Sequence, residues 1–147
     1  MKAERGFTLV ELLIAVAITG FLVTALGLVG QQIFAVPERG NDQVTALHAV
    51  QNAAHCVGLD GQMAESASGG GSLTLTLPDT SVVSYNLTGG NLYRNGDGVN
   101  RMIASNISSV NFTVTGRVIT MNIVAEPASR WDVSENQTYQ VYMRPTG

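Results

Sequence analysis

Four side chains in this sequence have the most chemical reach: His48, His55, Cys56 and a carboxylate set in an apolar stretch, Glu11. The two histidines are seven residues apart, about 10.5 Å along a straight helix. Zinc–nitrogen bonds of about 2.0–2.1 Å cannot join them directly within one chain. Cys56 adjoins His55, but neighbouring side chains on a helix diverge. The thiol reads as buried and inert, with an intermolecular disulfide as the alternative. A single cysteine excludes an internal disulfide framework and any multi-thiolate zinc site. Asn95-Gly96-Asp97-Gly98-Val99-Asn100 offers oxygen ligands, but it lacks the calcium-loop spacing and its closing Glu, so it reads as a hairpin turn. Gly69-Gly70-Gly71-Ser72 is not followed by Gly-Lys-Ser/Thr, so it is not a phosphate cradle. Both histidines fall on one predicted helix, so no Ser/His/Asp or Cys/His/Asn set can be assembled. The residues therefore offer no catalytic group, no metal-ligand set and no cofactor site, and the chain does not read as an enzyme.

Glu11 stands apart because of its setting. No charged residue occurs between Glu11 and Glu38, and eleven of the nineteen residues from Leu12 to Gly30 are Leu, Ile, Val or Phe. As a helix, that stretch spans about 28 Å, close to a hydrocarbon core of about 30 Å. Its apolar residues would contribute about −3 to −7 kcal/mol on insertion. A helix apolar on every side needs lipid or other helices around it. Lys2 and Arg5 precede the run, while Glu38, Arg39 and Asp42 follow it. That asymmetry predicts a cytoplasmic N-terminal end and the rest of the chain outside the inner membrane. The run is longer than a secretory signal core, and no Ala-x-Ala-like cut follows it. Glu11 itself admits two readings. It is an interfacial carboxylate favoured by the positive end of the helix dipole, or it needs a cation at its own depth. A cut after Gly6 would create such a cation, the amine of Phe7, in the same or a neighbouring subunit.

The run Arg5-Gly6-Phe7-Thr8-Leu9-Val10-Glu11-Leu12-Leu13-Ile14-Ala15 closely resembles the leader and N-methylation signal of bacterial type IV pilins and type II secretion pseudopilins. The resemblance implies a leader over residues 1–6 and cleavage between Gly6 and Phe7 by a membrane prepilin peptidase, which also methylates the Phe7 amine. It implies that Glu11 recruits or registers a neighbouring subunit, a setting in which a buried carboxylate is tolerable because assembly pairs it.

The elements that must carry this terminus follow from periodicity. Residues 7–30 read as the transmembrane half of one long helix, and residues 31–58 as its amphipathic half. Pro37 predicts a kink or break. The apolar positions Val44, Leu47, Val50, Ala54 and Val57 predict the stripe that lies on a sheet, with the helix ending near Gly58. Residues 59–72 read as a flexible connector, rich in Ser and Gly from Ala64 to Ser72. In residues 73–147 the period changes to two: Leu73/Leu75/Leu77, Val83/Tyr85/Leu87 and Val110/Phe112/Val114 alternate, with further strands at 92–94, 118–125 and 139–143. Five to seven short strands with tight turns predict an antiparallel sheet. The fold class is α+β, a long N-terminal helix packed on a small antiparallel head.

The segments Ser84-Tyr85-Asn86-Leu87, Gly89-Gly90-Asn91-Leu92-Tyr93-Arg94, Ala104 to Phe112 and Val141-Tyr142-Met143-Arg144 are similar to the J-type minor pseudopilins and W-type minor pilins. That resemblance implies a minor structural subunit of a pilus-like or secretion-like filament. Its partners would be other pilin or pseudopilin subunits, the prepilin peptidase, an inner-membrane assembly platform driven by a cytoplasmic ATPase, and the lipid bilayer. Two alternatives remain: a tip module that binds DNA or a surface, and a membrane-anchored periplasmic protein of other function. Removal of residues 1–6 leaves six Lys+Arg against ten Asp+Glu, which disfavours nucleic acid as a partner. Tyr85, Tyr93, Tyr139, Tyr142 and Trp131 could stack bases, but only five arginines accompany them in the head.

Overall fold

The computed structural model describes residues 8–145, with backbone alone over residues 31–37. The expected cleavage and methylation positions, Gly6 and Phe7, lie outside the described residues. The chain divides into two units, at Glu38/Arg39.

Helix α1 runs from Leu9 to Met63. It continues without interruption through Pro37, where the sequence predicts a kink or break. Loss of one backbone donor costs about 3 kcal/mol locally, and long helical segments on either side propagate past it. In the first unit the span Leu9–Gly30 is apolar, 22 residues long and unburied, about 33 Å at the helical rise. Its only hydroxyls are answered within the helix: Thr19 Oγ1 donates to the Ala15 carbonyl at 2.7 Å and Thr24 Oγ1 to the Gly20 carbonyl at 2.8 Å.

In the second unit α1 buries Ala46, Ala49, Val50, Ala53 and Val57. The predicted stripe is thus partly corrected. Val44 and Leu47 are exposed, and alanines take the places against the sheet. Small side chains let the helix backbone approach closely, whereas the bulkier aliphatics flank the contact. The helix also runs five residues past Gly58. The connector expected over 59–72 is correspondingly shorter, because Ser66–Ser68 form strand β1 against the next strand, β2 (Ser72–Thr76). Backbone pairing offers these hydroxyl-rich residues a ladder that composition alone does not reveal.

Strands β3 (Val82–Thr88), β4 (Asn91–Gly96) and β5 (Val99–Ala104) complete a five-stranded antiparallel meander in the order β1-β2-β3-β4-β5. Strands β6 (Ile107–Thr115), β7 (Val118–Ala125) and β8 (Glu135–Tyr142) form a second meander in the order β6-β7-β8. Two sheets therefore stand where alternation predicts one. Asn106, at φ 59°, turns the chain between them. The Asn95–Asn100 segment is a hairpin: Asp97 and Gly98, at φ 56° and 74°, form the two-residue turn that joins β4 to β5. A single bridge, Gly70 to Phe112, ties the segment before β2 to β6.

One core joins the helix and both sheets, with Leu73, Leu75, Tyr85, Leu92, Phe112, Ile119, Met121 and Ile123 all buried. The outward positions of the strands are of another kind. One register row crosses all five strands of the first sheet as Ser68, Thr74, Ser84, Asn95 and Asn100. In the second sheet the rows read Asn111–Asn122–Thr138 and Thr113–Thr120–Gln140. The only charged residues within strands, Arg94, Arg101 and Glu135, share the registers of inward residues.

Candidate functional site

The start of α1 is closed by a reciprocal cap. The Glu11 amide donates to Thr8 Oγ1 at 3.3 Å, while the Thr8 amide donates to Glu11 Oε2 at 3.0 Å and the Thr8 hydroxyl to the same oxygen at 2.9 Å. Thr8 is the N-cap and Glu11 the third helical residue, the Thr-x-x-Glu pattern of a capping box. The cap satisfies two backbone groups that a helix start otherwise leaves open. It also places a carboxylate at the positive end of the helix. Glu11 therefore faces its own helix start with one oxygen, and Oε1 makes no hydrogen bond among the described residues. Beyond the cap the span presents Leu9, Phe21 and Leu26 at 70% exposure or more, a surface that water does not favour.

A second constellation lies in the head, formed by Asp60, Tyr85 and Arg94, residues to which the sequence pattern assigns no shared site. Asp60, on the last turns of α1, is 6% exposed. Tyr85 of β3 donates its hydroxyl to Asp60 Oδ2. Arg94 of β4 donates from Nε to Oδ2 at 2.6 Å and from Nη2 to Oδ1 at 3.1 Å. Tyr85 and Arg94 are register partners, so adjacent strands present both donors to one carboxylate. Burial pushes the Tyr85 phenol well above the ordinary tyrosine range, and the Asp60 carboxylate adds to that. The bond to Asp60 holds the Arg94 guanidinium protonated. Cys56 lies one turn before Asp60. Burial pushes its thiol up and the Asp60 charge adds to the effect, so it carries no activated thiolate at neutral pH. The cluster fastens the helix to the sheet, since the Asp60 oxygens are taken up by three donors. A signal for it existed in the sequence: Asp60 follows Ala53 and Val57 at helical spacing on the buried face, and a carboxylate there requires partners.

Among the other residues weighed, His48 and His55 are exposed on α1. No group of three or more His, Cys, Asp or Glu is gathered for a metal ion among the described residues. The aromatic residues do not form one platform. Tyr85 is in the core, Tyr139 packs against it, Trp131 lies beneath the Arg130 guanidinium at 4.9 Å, and Tyr142 stands exposed.

Residues 1–27 match the Prokaryotic N-terminal methylation motif. The match covers Lys2, Arg5, Gly6 and Phe7, the Thr8/Glu11 cap and most of the apolar span. No curated protein and no solved structure matches the chain.

Proposed function

We propose that this chain belongs with the type IV pilins and pseudopilins and is a minor structural subunit of a pilus-like or secretion-like filament, resembling the J/W group. The single observation that supports the filament-subunit reading is the methylation motif over residues 1–27, which overlaps a 22-residue apolar helix, Leu9–Gly30, that is unburied among the described residues. In this reading the span sits first in the inner membrane, with the head on the outer side. A prepilin peptidase removes residues 1–6 and methylates Phe7. The apolar helix then exchanges lipid for sister helices, a transfer between two apolar surroundings that costs little. Glu11 contributes the one carboxylate at that depth and registers the incoming subunit through the amine of a neighbour. The inner-membrane platform and its ATPase supply the driving force, and the subunit itself carries out no reaction.

The test is the intact mass and terminal sequence of protein purified from native membranes, together with identification of crosslinked companions. A chain that begins at an N-methylated Phe7 and carries other pilin-like subunits is the expected result. Retention of residues 1–6 with no companion subunit would overturn the reading in favour of a simple membrane anchor.

A further inference from the structure

The chain holds three steps in which an acid or its amide precedes glycine: Asp60-Gly61, Asn95-Gly96 and Asp97-Gly98. Such steps share one spontaneous reaction. The glycine amide nitrogen attacks the side-chain carbonyl carbon of the residue before it and closes a five-membered succinimide. Asp loses water in that step and Asn loses ammonia. Water then opens the ring at either carbonyl, and opening at the former backbone carbonyl leaves an isoaspartyl linkage with a free α-carboxyl. Glycine favours the attack because no Cβ crowds its nitrogen.

The fold separates the three. Asp60 is 6% exposed, its oxygens are held by Tyr85 and Arg94, and Gly61 lies inside α1. Asn95 is exposed, but Gly96 is buried and faces Val99 in the last pair of the β4–β5 ladder, which engages its amide. Asp97 and Gly98 lie between the strands at φ 56° and 74°, and both are exposed. The Gly98 amide has no hydrogen-bond partner among the described residues. Nothing stands within 4 Å of the place a Cβ on Gly98 would take. Thr80, Asp97, Asn106 and Asp132 are the non-glycine residues at positive φ among those described, and of these Asp97 alone precedes a glycine.

We propose that Asp97-Gly98 is an isoaspartyl modification site: in the folded protein Asp97 dehydrates onto the Gly98 nitrogen and reopens as isoaspartate, while Asn95 and Asp60 are kept unreacted. At Asp97 the ring closes by rotation about two exposed turn residues. The same approach at Asn95 breaks the Gly96–Val99 pair. The product is a substrate for methyltransferases that esterify isoaspartyl carboxyls. A two-residue hairpin turn of this kind needs φ above zero at both central positions, and a linkage longer by one backbone carbon no longer fits it, so the change loosens the β4–β5 tip. The inference goes beyond the assembly role and does not depend on it.

Prolonged warm incubation of the full-length protein in micelles, at neutral pH in heavy-oxygen water, provides the test. Cleavage after Arg94 and Arg101 releases residues 95–101, in which Asn95 and Asp97 are read together by electron-transfer fragmentation. Isoaspartate at position 97 carrying one heavy oxygen is expected, with Asn95 intact, and methyl transfer by a recombinant isoaspartyl methyltransferase is expected to rise in step. Asp97→Glu would have to close a six-membered ring and is expected to lower that methyl transfer at least tenfold. Asp97→Asn keeps a residue suited to the turn and gives the molecule two Asn-Gly steps of the same chemistry. Position 97 of that variant is expected to deamidate at least tenfold faster than Asn95 while folded, and at a similar rate in denaturant. Thermal unfolding of each variant reports that the head remains folded. The proposal is overturned if position 97 of the folded protein stays unchanged while the denatured protein accumulates isoaspartate there. Deamidation of Asn95 ahead of position 97 in folded Asp97→Asn would also overturn it.

Discussion

Asp60 on α1 and Arg94 on β4, 34 positions apart in sequence, are joined by two hydrogen bonds, Nε to Oδ2 at 2.6 Å and Nη2 to Oδ1 at 3.1 Å. The Asp60 side chain is 8% exposed and that of Arg94 27%. Removal of one partner strands the other. Asp60→Ala is expected to destabilise the head by about 3 kcal/mol, the lower end of the range for breaking a buried pair because Arg94 retains some water. A paired replacement, Asp60→Leu with Arg94→Met, is expected to cost less than the two single changes combined. Chemical denaturation of the full-length protein in micelles, read as a double-mutant cycle, measures the difference.

Tyr85→Phe keeps the ring in the core and removes only the donor to Asp60. Loss of a hydrogen bond to a charged group is expected to cost about 1.5–3 kcal/mol. The same hydroxyl gives the head an alkaline limit. Burial and the Asp60 carboxylate raise the Tyr85 phenol above its unfolded value, so its contribution is present in full below pH about 10 and is lost as pH rises further. Unfolding midpoints followed from pH 8 to 11 are expected to fall more steeply above pH 10 in the parent than in Tyr85→Phe. Parallel curves would contradict this.

The bridge between Gly70 and Phe112 sets a close approach of two backbones. A Cβ on Gly69 would lie 2.5 Å from the Phe112 carbonyl oxygen. That oxygen accepts from the Gly70 amide at 2.7 Å and is held in place. Gly69→Ala is expected to destabilise by about 1–3 kcal/mol. Gly71→Ala, two residues on in open space, is expected to be neutral or slightly stabilising. Thermal midpoints of the two variants compare them directly.

Thr8 and Glu11 cap the helix that the proposed assembly uses. Thr8→Ala is expected to weaken the helix start by about 1 kcal/mol while leaving Glu11 charged. Glu11→Gln keeps a group of similar shape that can accept the Thr8 amide, but it removes the charge. If Glu11 registers neighbours through an amine, Glu11→Gln is expected to lose co-purification with other pilin-like subunits while its head unfolds at the parental temperature. Thr8→Ala is expected to assemble at a reduced level. Equal incorporation of all three forms into sheared filaments would remove the role assigned to Glu11.

Much of this arrangement was legible in the chain because its signals are local. The charge-free run after Glu11 marks a helix that needs an apolar environment, and the Asp97-Gly98 pair marks a hairpin. Thr8 followed three residues later by Glu11 spells a cap. Hydrophobic period favours Val44 and Leu47, yet Ala46, Ala49 and Ala53 hold the buried places. Side-chain size indicates which residues favour burial, whereas the closeness of helix and sheet decides which ones fit. Strands β1 and β5 carry little alternation. Ser66–Ser68 and Asn100–Met102 take strand geometry from the partner beside them. The division into two sheets turns on one residue, Asn106, whose positive φ has no counterpart in hydrophobic period. The Asp60 cluster joins positions 60, 85 and 94, and only folding brings those together.

The two threonines in the apolar span keep their hydrogens for their own helix. Neither donates outside its helix, so the span is chemically mute along its flanks from Leu12 to Gly30. In the proposed assembly it would turn or slide among lipid tails or sister helices without forfeiting a bond, and register would be set at the capped tip by Glu11.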